Sequence, residues 1–181
     1  MLHICLQTLL KKLSNHLKLS LLLNEDIVSL NSLNNTIAAT PINKVVISLV
    51  NIERETAGGI NFSYQGGIGN QYNQNLPAWQ LNLYVLISGV FSDKQYEESL
   101  QILSSILYFL QSNKNLTLEK TDIQLSIEPV NVAFNELSNL WSIFGGTYYP
   151  SILCKLRTLN INNNEIRKLL KPIIEKETGY E

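Results

Sequence analysis

The chain is 181 residues long, 45 % hydrophobic and 16 % charged, with a formal net charge of −1. That is enough apolar chain for one core of ordinary size, and it excludes wholesale disorder. With 14 basic against 15 acidic side chains it lacks the cationic excess that neutralises phosphates, so nucleic acid is not an expected partner. No apolar run approaches the ~20 residues of a membrane span, and the start, Met1-Leu-His-Ile-Cys-Leu, lacks the basic flank of a signal peptide. No membrane contact is expected, and synthesis and assembly are placed in the cytoplasm.

The first element is a helix over 2–17, because Leu2, Leu6, Leu9, Leu10, Leu13 and Leu17 draw one stripe with Lys11, Lys12 and Lys18 off it. Ile27, Val28 and Leu30 suggest a short strand, and Asn31 to Pro41 read as a loop. From Lys44 a nearly continuous apolar run, Val45 to Ile52, predicts a central strand covered on both faces. Residues 57–78 alternate glycine with asparagine and glutamine around Phe62, Tyr64 and Tyr72. A connection that long is usually functional or mobile. Trp79, Leu81, Leu83, Val85 and Ile87 alternate with polar neighbours and predict a second strand. It is expected to form a long hairpin with the first.

A helix follows from Ser92 or Asp93 to about Ser112, with Tyr96, Leu100, Leu103, Leu107 and Leu110 as its expected buried stripe. Ile123, Leu125 and Ile127 predict a third strand, and Pro129 marks an edge, a bend or a strand end. Phe134, Leu137, Leu140, Trp141 and Phe144 predict a short helix stopped by Gly145-Gly146. A last strand runs from Ile152 to Ile161, and Ile166 to Ile174 form a short amphipathic end. The order predicts a single α+β domain over 1–161, mostly antiparallel, with helices packed mainly on one face, and a separate tail over 162–181.

Little in the chain suggests chemistry. His3 and His16 both lie in the first helix, and no HExxH, CxxC or GxSxG occurs. Gly67-Ile68-Gly69 has neither a following helix pattern nor a Lys-Ser/Thr pair to hold phosphate. Glu97-Glu98 suits a helix N-terminus. Cys5 and Cys154 match no metal spacing; one disulfide is formally open, and two buried free thiols are expected. No enzyme activity, catalytic residue, cofactor or metal is therefore expected.

Two segments carry a family likeness. One is Asn43-Lys-Val-Val-Ile-Ser-Leu-Val-Asn-Ile-Glu-Arg-Glu, followed after the Gly/Asn stretch by Leu81-Asn-Leu-Tyr-Val-Leu-Ile. The other runs from Phe134-Asn-Glu-Leu-Ser-Asn-Leu-Trp through Tyr149-Pro-Ser to Lys155-Leu-Arg. Together they resemble the N-terminal domain family of cap, or tail-terminator, proteins of extracellular contractile injection systems of the antifeeding-prophage type. The likeness spans residue 1 to about 161. It implies a tail-terminator-like fold and a structural role: a homohexameric ring that ends the inner tube and touches the last sheath layer, in a particle assembled in the cytoplasm and able to be released. The implied partners are other copies of the chain, the inner-tube protein and the sheath protein. Sheath subunits of such particles are understood to link by donated strands, so an edge strand is a candidate acceptor, with Ile123–Val132 the expected edge. A tail-completion protein of a true phage and a small ligand-binding or accessory module stand as alternatives.

Candidate assembly residues follow from residue type and placement. Tyr64 and Tyr72 lie in the Gly/Asn stretch, and Tyr148 and Tyr149 flank a turn, where aromatics serve as interface anchors or as core. Lys155 and Arg157 project from one face of the last strand, either solvated or in an inter-subunit ion pair. Ile123 and Leu125 belong to the expected edge.

Overall fold

The computed structural model describes residues 2–33, 43–55, 64–66, 72–74, 79–118, 124–161 and 169–170. These residues fall into two compact units, one of 1–53 with 81–159 and one of 54–80 with 160–181.

In the larger unit the first helix, α1 (Leu2–Leu21), buries Cys5, Leu6, Leu9, Leu13 and Leu17 along the stripe that the leucine spacing predicts. It ends on Leu22 in the left-handed region (φ 52), where Leu23 N–H closes onto Lys18 C=O at 3.2 Å. The strands β1 (Val28–Leu30), β2 (Lys44–Arg54), β5 (Trp79–Val90), β6 (Asn115–Thr117), β7 (Gln124–Pro129) and β8 (Ser151–Ile161) form one sheet in the order β1-β2-β5-β8-β7-β6. β1 runs parallel to β2 with Val28 opposite Val45. The other pairings are antiparallel. Asn43 Oδ1 accepts the Ser92 N–H at one end of the β2–β5 pair, Gly89 N–H reaches Pro150 C=O between β5 and β8, and β7 pairs both β8 and β6. The predicted hairpin of β2 and β5 is thus present. The fold is α+β with a mostly antiparallel sheet, as the pattern predicts.

Alternation along the strands sorts the side chains onto two faces. Val45, Ile47, Leu83, Val85, Ile87, Leu125, Ile127, Cys154 and Leu156 meet α1 and α2 (Tyr96–Ser112) in the main core. Val46, Leu86 and Val90 point the other way and pack with Leu33 and with Trp141 of α3 (Phe134–Ile143). Both long helices therefore lie on one face and the short helix on the other. Between α1 and α2, His16 Nε2 lies 3.2 Å from the Ser105 carbonyl oxygen, a contact only an N–H can serve. Ser20 and Ser105 hydroxyls meet at 2.9 Å.

The structure corrects the expected edge. β6, unrecognised in the sequence because it is three residues long, pairs outside β7, so the segment from Ile123 is not the rim of the sheet; β1 and β6 are its terminal strands. Pro129 still obeys edge logic locally. Ile127 N–H donates toward β6, to Lys114 C=O, and Val130 N–H donates toward β8, to Leu153 C=O. Alternation turns the Pro129 nitrogen to the β6 side, past the end of that short strand, where a missing N–H costs no ladder bond.

In the smaller unit β3 (Tyr64–Gly66), β4 (Tyr72–Gln74) and β9 (Leu169–Leu170) form a second sheet, with Tyr64 opposite Gln74 and Tyr72 opposite Leu170. The long Gly/Asn stretch thus contains a hairpin. The two described residues of the expected tail are a strand rather than part of a helix. The remainder of both segments lies outside the described residues.

Candidate assembly surface

Among the described residues, the small α3 face gathers four aromatic rings. The helix starts after Ala133, whose N–H donates to Glu136 Oε2 at 3.3 Å, which satisfies one otherwise unpaired helix-start donor. It stops in a two-bond glycine cap. Gly146 N–H donates to Trp141 C=O at 2.8 Å and Gly145 N–H to Ser142 C=O at 3.1 Å, with both glycines at positive φ (97 and 82). This cap turns the chain so that Tyr148 and Tyr149 fold back on the helix. Trp141 then sits among three rings, Phe144, Tyr148 and Tyr149, at 6.0, 5.7 and 5.9 Å between centroids, all edge-on. Such pairs contribute ~0.5–1.5 kcal/mol each beyond area burial.

Trp141 is 4 % exposed, yet its Nε1–H has no hydrogen-bond partner among the described residues. It floors a groove of ≈ 490 Å³ walled by Phe134, Leu137, Ser138 and Tyr148. Phe134, the first residue of the helix, is 88 % exposed. Ile143 is also exposed.

The other predicted residues are dispersed. Tyr148 is exposed and Tyr149 half-buried against the sheet, so the turn brings these two together with Trp141. Lys155 Nζ stands 5.8 Å from the Tyr84 ring centroid, and Arg157 pairs with Glu128 Oε1 of the adjacent strand at 2.9 Å. Both cations thus have partners within their own sheet. Leu125 is fully buried in the main core, so its side chain is not available to another protein. Tyr64 and Tyr72 contribute backbone to β3 and β4. Ile123 lies outside the described residues.

A second apolar surface escaped the sequence reading. On α2, Tyr96, Leu100, Leu107 and Tyr108 are exposed, although Tyr96, Leu100 and Leu107 were expected inside. The buried side of α2 is Ile102, Leu103, Ile106, Phe109 and Leu110. The signal available in the sequence was charge: residues 99–113 contain no charged side chain, which is unusual for a helix with one face in water.

Among the described residues no group of three His, Cys, Asp or Glu side chains could hold a metal, and no helix is long and apolar enough to cross a membrane. Cys5 and Cys154 are buried thiols outside any disulfide. Burial pushes the Cys154 thiol up to about 12 and also raises that of Cys5.

No curated protein matches the chain by sequence. Two solved structures share its fold. The sheath/tube terminator of the PVC extracellular contractile injection system, in its extended state, superposes with a TM-score of 0.62 at 17 % identity, over 96 % of this chain and 62 % of that one. The tube-terminating cap of the anti-feeding prophage gives 0.60 at 18 % identity, over 94 % and 59 %. The chain thus spans about three fifths of the length of the solved chains it resembles. The sequence model described as the Pvc16 N-terminal domain matches residues 5–173, nearly the whole chain, and the chain belongs to that family.

Proposed function

We propose that the chain is a structural, non-enzymatic terminator of a contractile injection particle: six copies form a ring that ends the inner tube and touches the last sheath layer. The observation that carries this reading is the family match over residues 5–173. The shared fold of two particle terminators supports it. The molecule has the features such a part needs. A closed ring of identical copies uses a head-to-tail interface, so each subunit must offer two unlike lateral surfaces. The larger unit has them, with two long helices on one sheet face and an aromatic-rich short helix on the other. A net charge of −1 permits close approach of like subunits. Assembly takes place in the cytoplasm, with the tube and sheath proteins as partners, and the cap leaves the cell with the finished particle.

Deletion of the gene from a particle-producing strain tests this. Electron microscopy of purified particles should show no cap density and tubes of irregular length. Particles of normal length with an intact cap would overturn the assignment.

A further inference from the structure

The outer side of α2 carries a pattern that its own core does not use. Positions 97, 100, 104, 107, 111 and 114 follow one another in alternating steps of three and four, the spacing of a seam between two packed helices. Glu97, Leu100, Ser104, Leu107, Gln111 and Lys114 stand there, all exposed. Leu100 and Leu107 are 40 % and 49 % exposed, and the Ser104 hydroxyl is turned back onto Leu100 C=O at 2.8 Å. Between Glu98 and Lys114 no residue is charged. The charges collect at the two ends of the helix and differ in sign. Asp93, Lys94, Glu97 and Glu98 stand at its start, three acids against one base, and Lys114 stands just past its end. Among the described residues neither Glu97 nor Lys114 has an ion-pair partner, whereas Glu128, which lines the same groove as Lys114, is held by Arg157 at 2.9 Å.

A stripe with acid at one end and base at the other is complementary to its own reverse. We propose that the free chain forms a two-fold dimer in which α2 packs antiparallel against α2 of a second copy. Alternate seam positions of antiparallel helices face each other in layers. Here one register pairs Glu97 with Lys114, Leu100 with Gln111 and Ser104 with Leu107, each layer occurring twice about an axis between Ser105 and Ile106. The small side chain of Ser104 leaves room beside the axis for the opposite Leu107. A parallel pair would instead set Glu97 on Glu97 and Lys114 on Lys114, and like charges repel. The antiparallel register also brings the exposed Tyr96 of the second copy over Asn115. That residue lines a groove of ≈ 720 Å³ at the far end of the helix, together with Leu107, Gln111, Lys114 and Pro129. The contact is isologous and closes at two copies, so it is distinct from the head-to-tail contact of the proposed ring and does not rest on it. It covers the apolar stripe of α2 while the chain is outside a particle.

Light scattering of the purified chain at micromolar concentration should give the mass of two copies; one copy, or a ring of six, would overturn the proposal. Charge exchange tests the register. Glu97→Lys and Lys114→Glu each set like charges together at both ends of the seam, so each should weaken the dimer about tenfold in low salt. An equal mixture of the two variants restores both ion pairs and should return the affinity of the parent chain. A mixture as weak as its components would overturn the pairing, and this comparison is independent of any loss of folding. Leu107→Glu changes an exposed side chain and should leave only monomer with the circular dichroism of the parent; a dimer that survives it would also overturn the proposal. Ser104→Cys should oxidise to a covalent dimer and nothing larger, because the native thiols Cys5 and Cys154 are buried. Ser112→Cys, about 20 Å along the seam from its counterpart, should stay monomeric on the same non-reducing gel. Covalent dimer from Ser112→Cys, or multimers from Ser104→Cys, would place the contact elsewhere. Cap density in particles is read separately, so failure of the dimer leaves the terminator assignment standing.

Discussion

The two faces of the large sheet are built differently. On the α1/α2 face a continuous apolar core runs from Leu9 and Leu13 through Leu83, Val85 and Ile106 to Leu156, each fully or almost fully buried. On the α3 face the described residues give a cluster of five buried side chains, and Phe134 and Ile143 of the helix, with Tyr148 beyond it, stay in water. The first face has the extent and closeness of packing that stabilise a fold. The second combines rings, a glycine cap and a groove, and its exposed aromatics have a cost in solubility that only a partner offsets. Burial is thus divided unequally between the two sides of one sheet.

The largest expected effect separates these sides. Leu83→Ala, in the main core, should destabilise the isolated chain by about 2–5 kcal/mol in urea unfolding, because a buried leucine leaves a cavity. Phe134→Ala should change stability by less than about 0.5 kcal/mol, since its ring is in water. Comparable losses from the two would end that division.

Two backbone substitutions sharpen the comparison at about 1 kcal/mol each. Leu22 adopts φ 52 at the end of α1 and is exposed, so Leu22→Gly should stabilise the chain by about 1 kcal/mol in the same assay. Gly146→Ala forces a side chain onto φ 82 in the α3 cap and should cost about 1 kcal/mol, although no atom lies within 4 Å of the added carbon. A neutral Gly146→Ala would mean that α3 frays in solution.

Arg157→Ala should cost at most about 1 kcal/mol, because the Glu128 pair is half exposed, and that cost should vanish in high salt. The smallest effect concerns acid. Lys18, and after it the hydroxyl of Ser14, hold the Asp26 carboxyl below its usual 3.8. A depressed folded value means that the carboxylate stabilises the fold at neutral pH, and that this contribution fades as pH falls below the usual carboxylate range toward the folded value. Asp26→Asn should flatten the acid limb of a stability-against-pH curve relative to the parent chain; an unchanged limb would remove Asp26 from the acid response.

The sequence by itself determined the elements whose periodicity is long enough to repeat. The leucine stripe of α1, the alternation from Leu81 to Ile87 and the paired glycines after α3 each follow from local spacing, whereas the run from Val45, expected to be covered on both faces to Ile52, is so only through Ser48, with Leu49 and Ile52 exposed. It also carried the family, through residues spread from the first helix to β8. Tertiary structure decided what depends on neighbours. β6 has three residues and no period to read, and it exists because β7 offers it a ladder, which moved the edge away from Ile123–Val132. Leu125 joined the core and Phe134 left it, although both are equally apolar in the sequence, because burial depends on what packs opposite a residue. Tyr148 met Trp141, and α2 kept an uncharged side in water, for the same reason. Hydrophobicity says that a side chain gains by leaving water, and only the assembled layers say whether its own chain supplies the cover or leaves that to another.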